Sequence, residues 1–368
     1  MKVYAVGGSV RDELLGHPVT DRDWVVVGAT PAEMAARGFR AVGADFPVFL
    51  HPGTHEEYAL ARTERKTAPG YRGFVFHASP EVTLEEDLRR RDLTINAIAR
   101  GEDGVLVDPH GGVEDLRRGI LRHVSEAFVE DPVRILRVAR FAARFGFEVA
   151  PETLALMRRM VDSGEADHLV PERVWQEIAR GLQEPRPARL LAVLRDCGAL
   201  ARVAPEIEAL VAPDGGLLVT ARLEAGTAFG LPVRFACLTL GLPPEAVASL
   251  CERVNAPGEC RDLAGLAARE RAAVEGAGAL GAEPLLALLE RTDSFRRPER
   301  LERLMEVCEC DLCARGLSRR VPRERLMAAR KAALEVDAAA IARDHPRSVP
   351  TAIHAARAAR IASVLSAG

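Results

Sequence analysis

At 368 residues, with a formal charge of −3, 48% hydrophobic and 28% charged residues, the chain has room for two or more domains and the composition of a folded globular protein, which excludes a wholly disordered chain. No apolar run approaches the roughly 18 residues of a membrane span, and the opening MKVYAV has neither signal h-region nor cleavage site, so a cytoplasmic protein with no membrane attachment is expected. Seven scattered cysteines, an odd number, do not form a secreted disulfide framework; only Cys308, Cys310 and Cys313 cluster, and without a nearby His or second pair they predict packing rather than zinc.

Val3 to Val6 is a short apolar run ending at Gly7-Gly8, and Ser9 to Leu15 then has helical spacing up to Gly16. Strand, glycine turn and helix in that order let backbone N–H groups approach an anion, and Arg11, one turn into the helix, adds a planar charged fork suited to phosphate. Asp21 and Asp23 follow, running into the β-branched Trp24-Val25-Val26-Val27. Residues i and i+2 of a strand point to one face, so the two carboxylates converge, and such a pair can hold two Mg²⁺ ions about 4 Å apart. Taken without the glycine turn, a D-x-D is weak evidence and reads first as solvated acids at a strand start.

Pro31 to Gly38 predicts a helix, and Phe46 to His51 and Glu57 to Ala61 predict further strands, giving a mixed sheet. Arg62 to Gly73, with Lys66, Pro69, Gly70 and Gly73, reads as a loop. Thr83-Leu84-Glu85-Glu86 predicts a helix start with a capping box, and that helix delivers Arg89, Arg90 and Arg91 followed by Asp92. Basic residues suit a helix end in any protein, but beside a nucleotide site Arg91 is the better triphosphate ligand.

From about Leu121 the pattern turns helical, which places a domain boundary there. A helix from Asp131 to Phe145 sets Asp131, Arg134, Arg137 and Arg140 along one face in steps of three. Asp131 and Arg134 form either an ordinary i,i+3 salt bridge or a template for a base. Cytosine and adenine both show an exocyclic amino donor beside a ring-nitrogen acceptor, whereas uracil and guanine show the reverse. A carboxylate only accepts and a guanidinium only donates, so the pair matches C and A and opposes U and G.

Gly7-Gly8-Ser9-Val10-Arg11-Asp12 with Asp21-Arg22-Asp23 resembles the class II tRNA nucleotidyltransferases and bacterial poly(A) polymerases, most closely the CCA-adding enzymes. The resemblance continues through Arg62 to Lys66, Arg90 to Ala97, Glu130 to Arg137 and Glu172 to Trp175, spanning the first half of the chain. It implies an α+β fold: a mixed-sheet, polymerase-β-like nucleotidyltransferase head over 1–121, then an all-α neck over 122–185, body over 186–300 and tail over 301–368. It implies addition of CMP, CMP and AMP, from CTP and ATP, to the 3′ end of tRNA with release of pyrophosphate. In that reading Asp21 and Asp23 are the catalytic residues and Mg²⁺ ligands, while Gly8, Arg11 and Arg91 steady the triphosphate. Asp92 meets the ribose, Asp131 and Arg134 read the base, and Arg137 and Arg140 lie on the nucleotide side. A poly(A) polymerase, a partial CC- or A-adding enzyme, or a non-catalytic RNA-binding relative are the alternatives.

Some bacterial relatives carry a metal-dependent phosphohydrolase domain after the neck. Here no histidine lies between His168 and His345, and Phe235 to Gly241 stands where a His-Asp pair is expected, so that chemistry is predicted to be lost. Asp311 onward holds eleven Arg and Lys against five Asp and Glu, which is either a basic face for tRNA or an ordinary arginine-rich helical surface.

Overall fold

The computed structural model describes residues 1–19, 21–42, 48–66, 74–212 and 215–367. They fall into two units, Met1–Gly181 with Arg189–Val203, and Leu182–Ala188 with Ala204–Gly368.

The N-terminal unit opens with β1 (Lys2–Val6), α1 (Gly8–Leu14), β2 (Asp23–Val27), α2 (Pro31–Ala36), β3 (Arg40–Val42), β4 (Val48–Leu50) and β5 (Glu57–Leu60). β6 (Arg62–Lys66), β7 (Phe74–Ala78), α3 (Leu84–Arg89), β8 (Ala99–Gly101) and β9 (Leu106–Val107) follow. Seven of these strands form one sheet in the order β3-β4-β5-β2-β1-β8-β9, and β2 is antiparallel to β1 but parallel to β5, so the sheet is mixed as predicted. β2 is central and both its faces are covered. Val25 packs with Val6, Leu84 and Leu88 on one side, and Val26 with Met34, Phe49 and Leu60 on the other. That is why its sequence is an unbroken apolar run rather than an alternating one. Capping boxes at Thr30 and Thr83, closed by Glu33 and Glu86, fix the starts of α2 and α3.

Two local expectations change. Arg62–Lys66 is not loop: it pairs antiparallel with Phe74–Ala78 as a two-stranded ribbon, its backbone donors and acceptors meeting those of β7, while residues 67–73, and Phe46 and Pro47 of the strand expected up to His51, lie outside the described residues. Strand pairing also returns after residue 119. α4 (Gly112–Arg118) leads into β10 (Ile120–Leu121), which runs parallel to β11 (Glu148–Val149) across α5 (Val133–Phe145). α6 (Pro151–Asp162), α7 (Pro171–Gln183), α8 (Pro187–Asp196) and α9 (Ala199–Val203) complete the sequence up to the second unit's main run.

Beyond it the described residues are helical: α10 (Pro205–Val211), α11 (Gly215–Ala225), α12 (Leu231–Thr239), α13 (Pro244–Arg253), α14 (Gly258–Glu275), α15 (Ala282–Arg291), α16 (Pro298–Ala314), α17 (Arg323–Leu334), α18 (Ala338–Asp344) and α19 (Val349–Ala367). Phe235, Ala236, Cys237 and Leu238 of α12 are core residues. Cys308 and Cys310 of α16 are buried as well, with the Cys308 thiol pushed far up by burial, while Cys313 is exposed. Asp311, fully buried, accepts from Arg222 Nε at 2.5 Å, Arg271 Nη1 at 2.8 Å and Arg315 Nη1 at 3.2 Å. Among the described residues no helix is long and apolar enough to cross a membrane.

Candidate active site

The glycine turn is built around Arg91. Gly7 has φ +70°, a conformation that L side chains rarely adopt, and a Cβ placed there would come 2.9 Å from Arg91 Nη1. The positive φ is what favours glycine there, and the bare turn lets that guanidinium rest against it. One turn on, Arg11 is 4% exposed, with Nη1 donating to Asn96 at 2.5 Å and Nε to Asp12 at 2.9 Å. Its guanidinium lies over the rings of Phe141 and Phe145, 5.2 and 5.0 Å from their centroids. Burial lowers its pKa, with the Asp12 carboxylate opposing the shift.

The segment after α3 supplies the next groups. Asp87, fully buried, takes Arg90 at 3.0 Å and Arg91 at 3.2 Å, and accepts the Arg62 backbone N–H. Asp92 accepts from its neighbour Leu93 N, from Asn96 Nδ2 at 3.0 Å and from Arg137 Nε at 2.7 Å. Burial works against its ionisation, but the charge of Arg137 and the Asn96 hydrogen bond outweigh burial and hold it far below the usual carboxylate range. α4 braces this segment by close approach: a Cβ at Gly112 would meet the Thr94 carbonyl oxygen at 2.1 Å.

α5 brings the base-reading candidates, with a different pairing from the i,i+3 bridge that the spacing allows. The helix begins at Val133 after Pro132 at its N-cap, so Asp131 sits ahead of it and accepts the Val133 N–H at 3.1 Å. Its salt bridge is to Arg173 of α7, two parallel bonds of 3.1 and 2.8 Å. Arg134 instead donates to the carbonyls of Ala127 and Arg90, both at 2.8 Å. Further along α5, Arg140 meets Glu177 at 2.5 Å and Arg144 meets Asp12 at 2.9 Å.

These groups converge on one cleft of about 440 Å³, whose described lining includes Gly7, Gly8, Arg11, Asp23, Arg91, Asp92, Asp131, Arg134, Arg137 and Arg140. Nine of the predicted site residues are thereby in one place. The tenth, Asp21, lies two residues ahead of β2, exposed and outside that lining. Eight arginines against three aspartates make the cleft cationic, as a triphosphate requires. Asp12, Asp87, Asn96, Arg144, Arg173 and Glu177 carry no role in the sequence reading, yet they hold the lining side chains. Their signal was their place inside or beside the quoted motifs. For a metal, Asp21 and Asp23 offer exposed carboxylate oxygens, and among the described residues no group of three His, Cys, Asp or Glu is arranged around an ion. An oxygen pair without His or Cys fits Mg²⁺, which keeps waters and substrate phosphates as its other ligands.

Residues 3–122 match the family described as the Poly A polymerase head domain, and residues 146–210 the probable RNA- and SrmB-binding site of polymerase A. A Multifunctional CCA protein of Aromatoleum aromaticum is 57% identical over 398 aligned residues, covering 98% of each chain. The chain belongs to the CCA-adding tRNA nucleotidyltransferase and poly(A) polymerase family. Another member, from Burkholderia cenocepacia strain HI2424, is 54% identical over 412 aligned residues and covers all of both chains. Since this chain has 368 residues, that alignment contains several dozen positions with no residue here. Among solved members of the family, a CCA-adding enzyme with ATP gives a TM-score of 0.69 at 21% identity, covering 98% of this chain and 86% of that one. The Thermotoga maritima CCA-adding enzyme complexed with tRNA gives 0.60 at 24%, covering 91% and 78%. These two likenesses establish the shared fold, a mixed-sheet head followed by helices.

Proposed function

We propose that this chain adds CMP, CMP and AMP, from CTP and ATP, to the 3′ end of tRNA in the cytoplasm and releases pyrophosphate. The observation that carries the reading is the cleft itself, where a carboxylate at a strand start, a glycine turn with arginines, and a carboxylate–guanidinium pair of the polarity of C and A line one cavity.

Asp21 and Asp23 are the proposed Mg²⁺ ligands, and the ion supplies a lowered pKa for the attacking 3′-hydroxyl and neutralisation of phosphate charge. Gly8, Arg11 and Arg91 bind the triphosphate. Arg11 and Arg91 are already fixed by Asn96, Asp12 and Asp87, so little reorganisation is needed as charge develops on the leaving pyrophosphate. Asp131 reads the amino group of the base. Arg173 and the Val133 N–H occupy most of its roughly four acceptor positions, leaving room on Oδ2 for one further donor. Arg134 donates to the ring-nitrogen edge, held in place by the two carbonyls it already meets. Asp92 receives a ribose hydroxyl beside Arg137, and Arg140 lines the nucleotide side.

The test offers tRNA ending at the discriminator base, then in -C, then in -CC, with each nucleoside triphosphate separately. C, C and A in that order are expected. Repeated AMP addition to any RNA would make the protein a poly(A) polymerase, incorporation at only some steps would make it a partial adder, and no incorporation would leave an RNA-binding relative.

A further inference from the structure

Phe141 lines the nucleotide cleft, and none of the proposed roles falls on it, although its ring stands among the arginines that carry those roles. The side chain is buried, and its ring centroid lies 4.4 Å from the Arg140 guanidinium, 5.2 Å from that of Arg11 and 5.5 Å from that of Arg137. Arg137 reaches the ring as its i,i+4 neighbour on α5, Arg140 from the preceding residue, and Arg11 from α1. Phe145, one turn on, stacks on Phe141 at 5.9 Å, with Arg11 and Arg144 each 5.0 Å from its own centroid.

Gathering cations in a buried cleft is unfavourable, and carboxylates relieve it only by cancelling charge. Asp12, Asp92 and Glu177 hold Arg11, Arg137 and Arg140, but each removes positive potential that a triphosphate would use. An aromatic face attracts a guanidinium through its quadrupole and carries no net charge, so it stabilises the cation without neutralising it. The three carboxylates also stand on different elements, α1, the segment after α3, and α7, and so orient their arginines separately. The Phe141 ring meets all three guanidiniums and gives them a common reference. Burial lowers the pKa of Arg11 against the pull of Asp12, and the nearby charge of Arg144 lowers it further. A leucine at position 141 would fill much of the same space and offer these cations nothing.

We infer that Phe141 is a positioning residue for the triphosphate: its ring holds Arg11, Arg137 and Arg140 together and charged, so the cleft is arranged for phosphate before a nucleotide arrives. The inference rests on the nucleotide-binding reading of the cleft given above.

The experiment replaces Phe141 with phenylalanine analogues carrying one, two and three ring fluorines, which keep the ring's shape and weaken its quadrupole step by step. Equilibrium binding of CTP and of cytidine to the full chain is measured for the series and for Phe141→Leu. CTP affinity should fall with each fluorine, by about five- to tenfold at three, while cytidine affinity stays within about twofold. In turnover, KM for CTP and for ATP should rise together, with kcat and the preference for CTP over UTP each within about twofold of wild type. Phe141→Leu should weaken CTP at least as much as three fluorines do, and if it fails to fold the fluorine series decides alone. A flat series, or equal weakening of CTP and cytidine, overturns the assignment and leaves Phe141 as packing. Wild-type protein that binds CTP but transfers no nucleotide to any RNA sinks the transferase reading, and the fluorine series still tests the ring.

Discussion

Both units are rich in arginine, and two groups of these side chains show how differently it can be held. In the N-terminal unit Arg11, Arg137, Arg140 and Arg173 each have a carboxylate partner, Asp12, Asp92, Glu177 and Asp131, and all four still line a cavity. In the C-terminal unit Arg222, Arg271 and Arg315 converge on the single buried Asp311. Arg234 donates to the carbonyls of Leu182, Phe229 and Thr227, Arg325 to those of Ala277 and Leu280, and Arg330 to that of Ser294. A guanidinium has five N–H donors in a rigid fork. In the cleft a carboxylate orients each of these forks, whereas helix-end carbonyls hold Arg234, Arg325 and Arg330 within the fold. After Asp311, Arg315 and Arg319 meet Glu275, Arg323 meets Glu309 and Arg360 meets Glu335, so these arginines too are held by carboxylates.

The contrast breaks most sharply at Asp23. Asp23→Ala should lower kcat/KM for CTP addition by about 10³-fold or more, the scale of several kcal/mol of lost metal stabilisation. Because the side chain is exposed, unfolding stability should stay within about 0.5 kcal/mol. Chemical denaturation beside a turnover assay checks both, and substantial residual turnover in Mg²⁺ would remove Asp23 from the metal site.

Asp311→Asn should do the reverse. It strands three arginines around a site with Arg222 6% and Asp311 0% exposed, so the C-terminal unit should lose about 3–5 kcal/mol of stability. At a temperature where the variant is folded, kcat should remain within about twofold of wild type, since Asp311 and its three arginines belong to the unit that does not hold the cleft and share no partner with it. A collapse of kcat with unaltered melting would make Asp311 part of the chemistry.

The smallest expected effect concerns α19. His354 bridges Glu283 at 2.9 Å and Glu290 at 3.2 Å, and those hydrogen bonds raise its pKa above the ordinary histidine value. A group whose folded pKa is raised stabilises fully below its unfolded pKa, about 6.5, and loses that contribution as pH rises through the folded value. Hydrogen exchange in α19, corrected for intrinsic rates, should therefore be better protected at pH 6 than at pH 8.5, and His354→Gln should abolish the difference. Equal protection in wild type at both pH values would contradict the clamp.

Much of the head was legible in the sequence because its signals are local. Gly7-Gly8 announces a turn, Thr83 and Glu86 a cap, and Trp24 to Val27 a strand. The misreadings are long-range. Nothing near Arg62–Lys66 shows that a partner strand lies beyond residue 73. Nothing near Asp131 shows that Arg173, forty-two positions on, outcompetes Arg134 for its carboxylate. Helical spacing placed Asp131 and Arg134 on one face, but the helix starts two residues later than the pattern implied, which leaves Asp131 ahead of the helix rather than on its face.

That difference locates the central claim, that a protein surface chooses the base through Asp131 held by Arg173. The direct measurement is the ratio of kcat/KM for CTP over UTP in Asp131→Ala and in Arg173→Ala. A charge-assisted contact of about 1.5–3 kcal/mol predicts that the ratio falls by roughly one to two orders of magnitude in Asp131→Ala. Arg173→Ala should lower it too, because the carboxylate loses its orientation. If overall activity drops in both variants while the ratio is unchanged, Asp131 and Arg173 are only a structural salt bridge and base selection lies elsewhere.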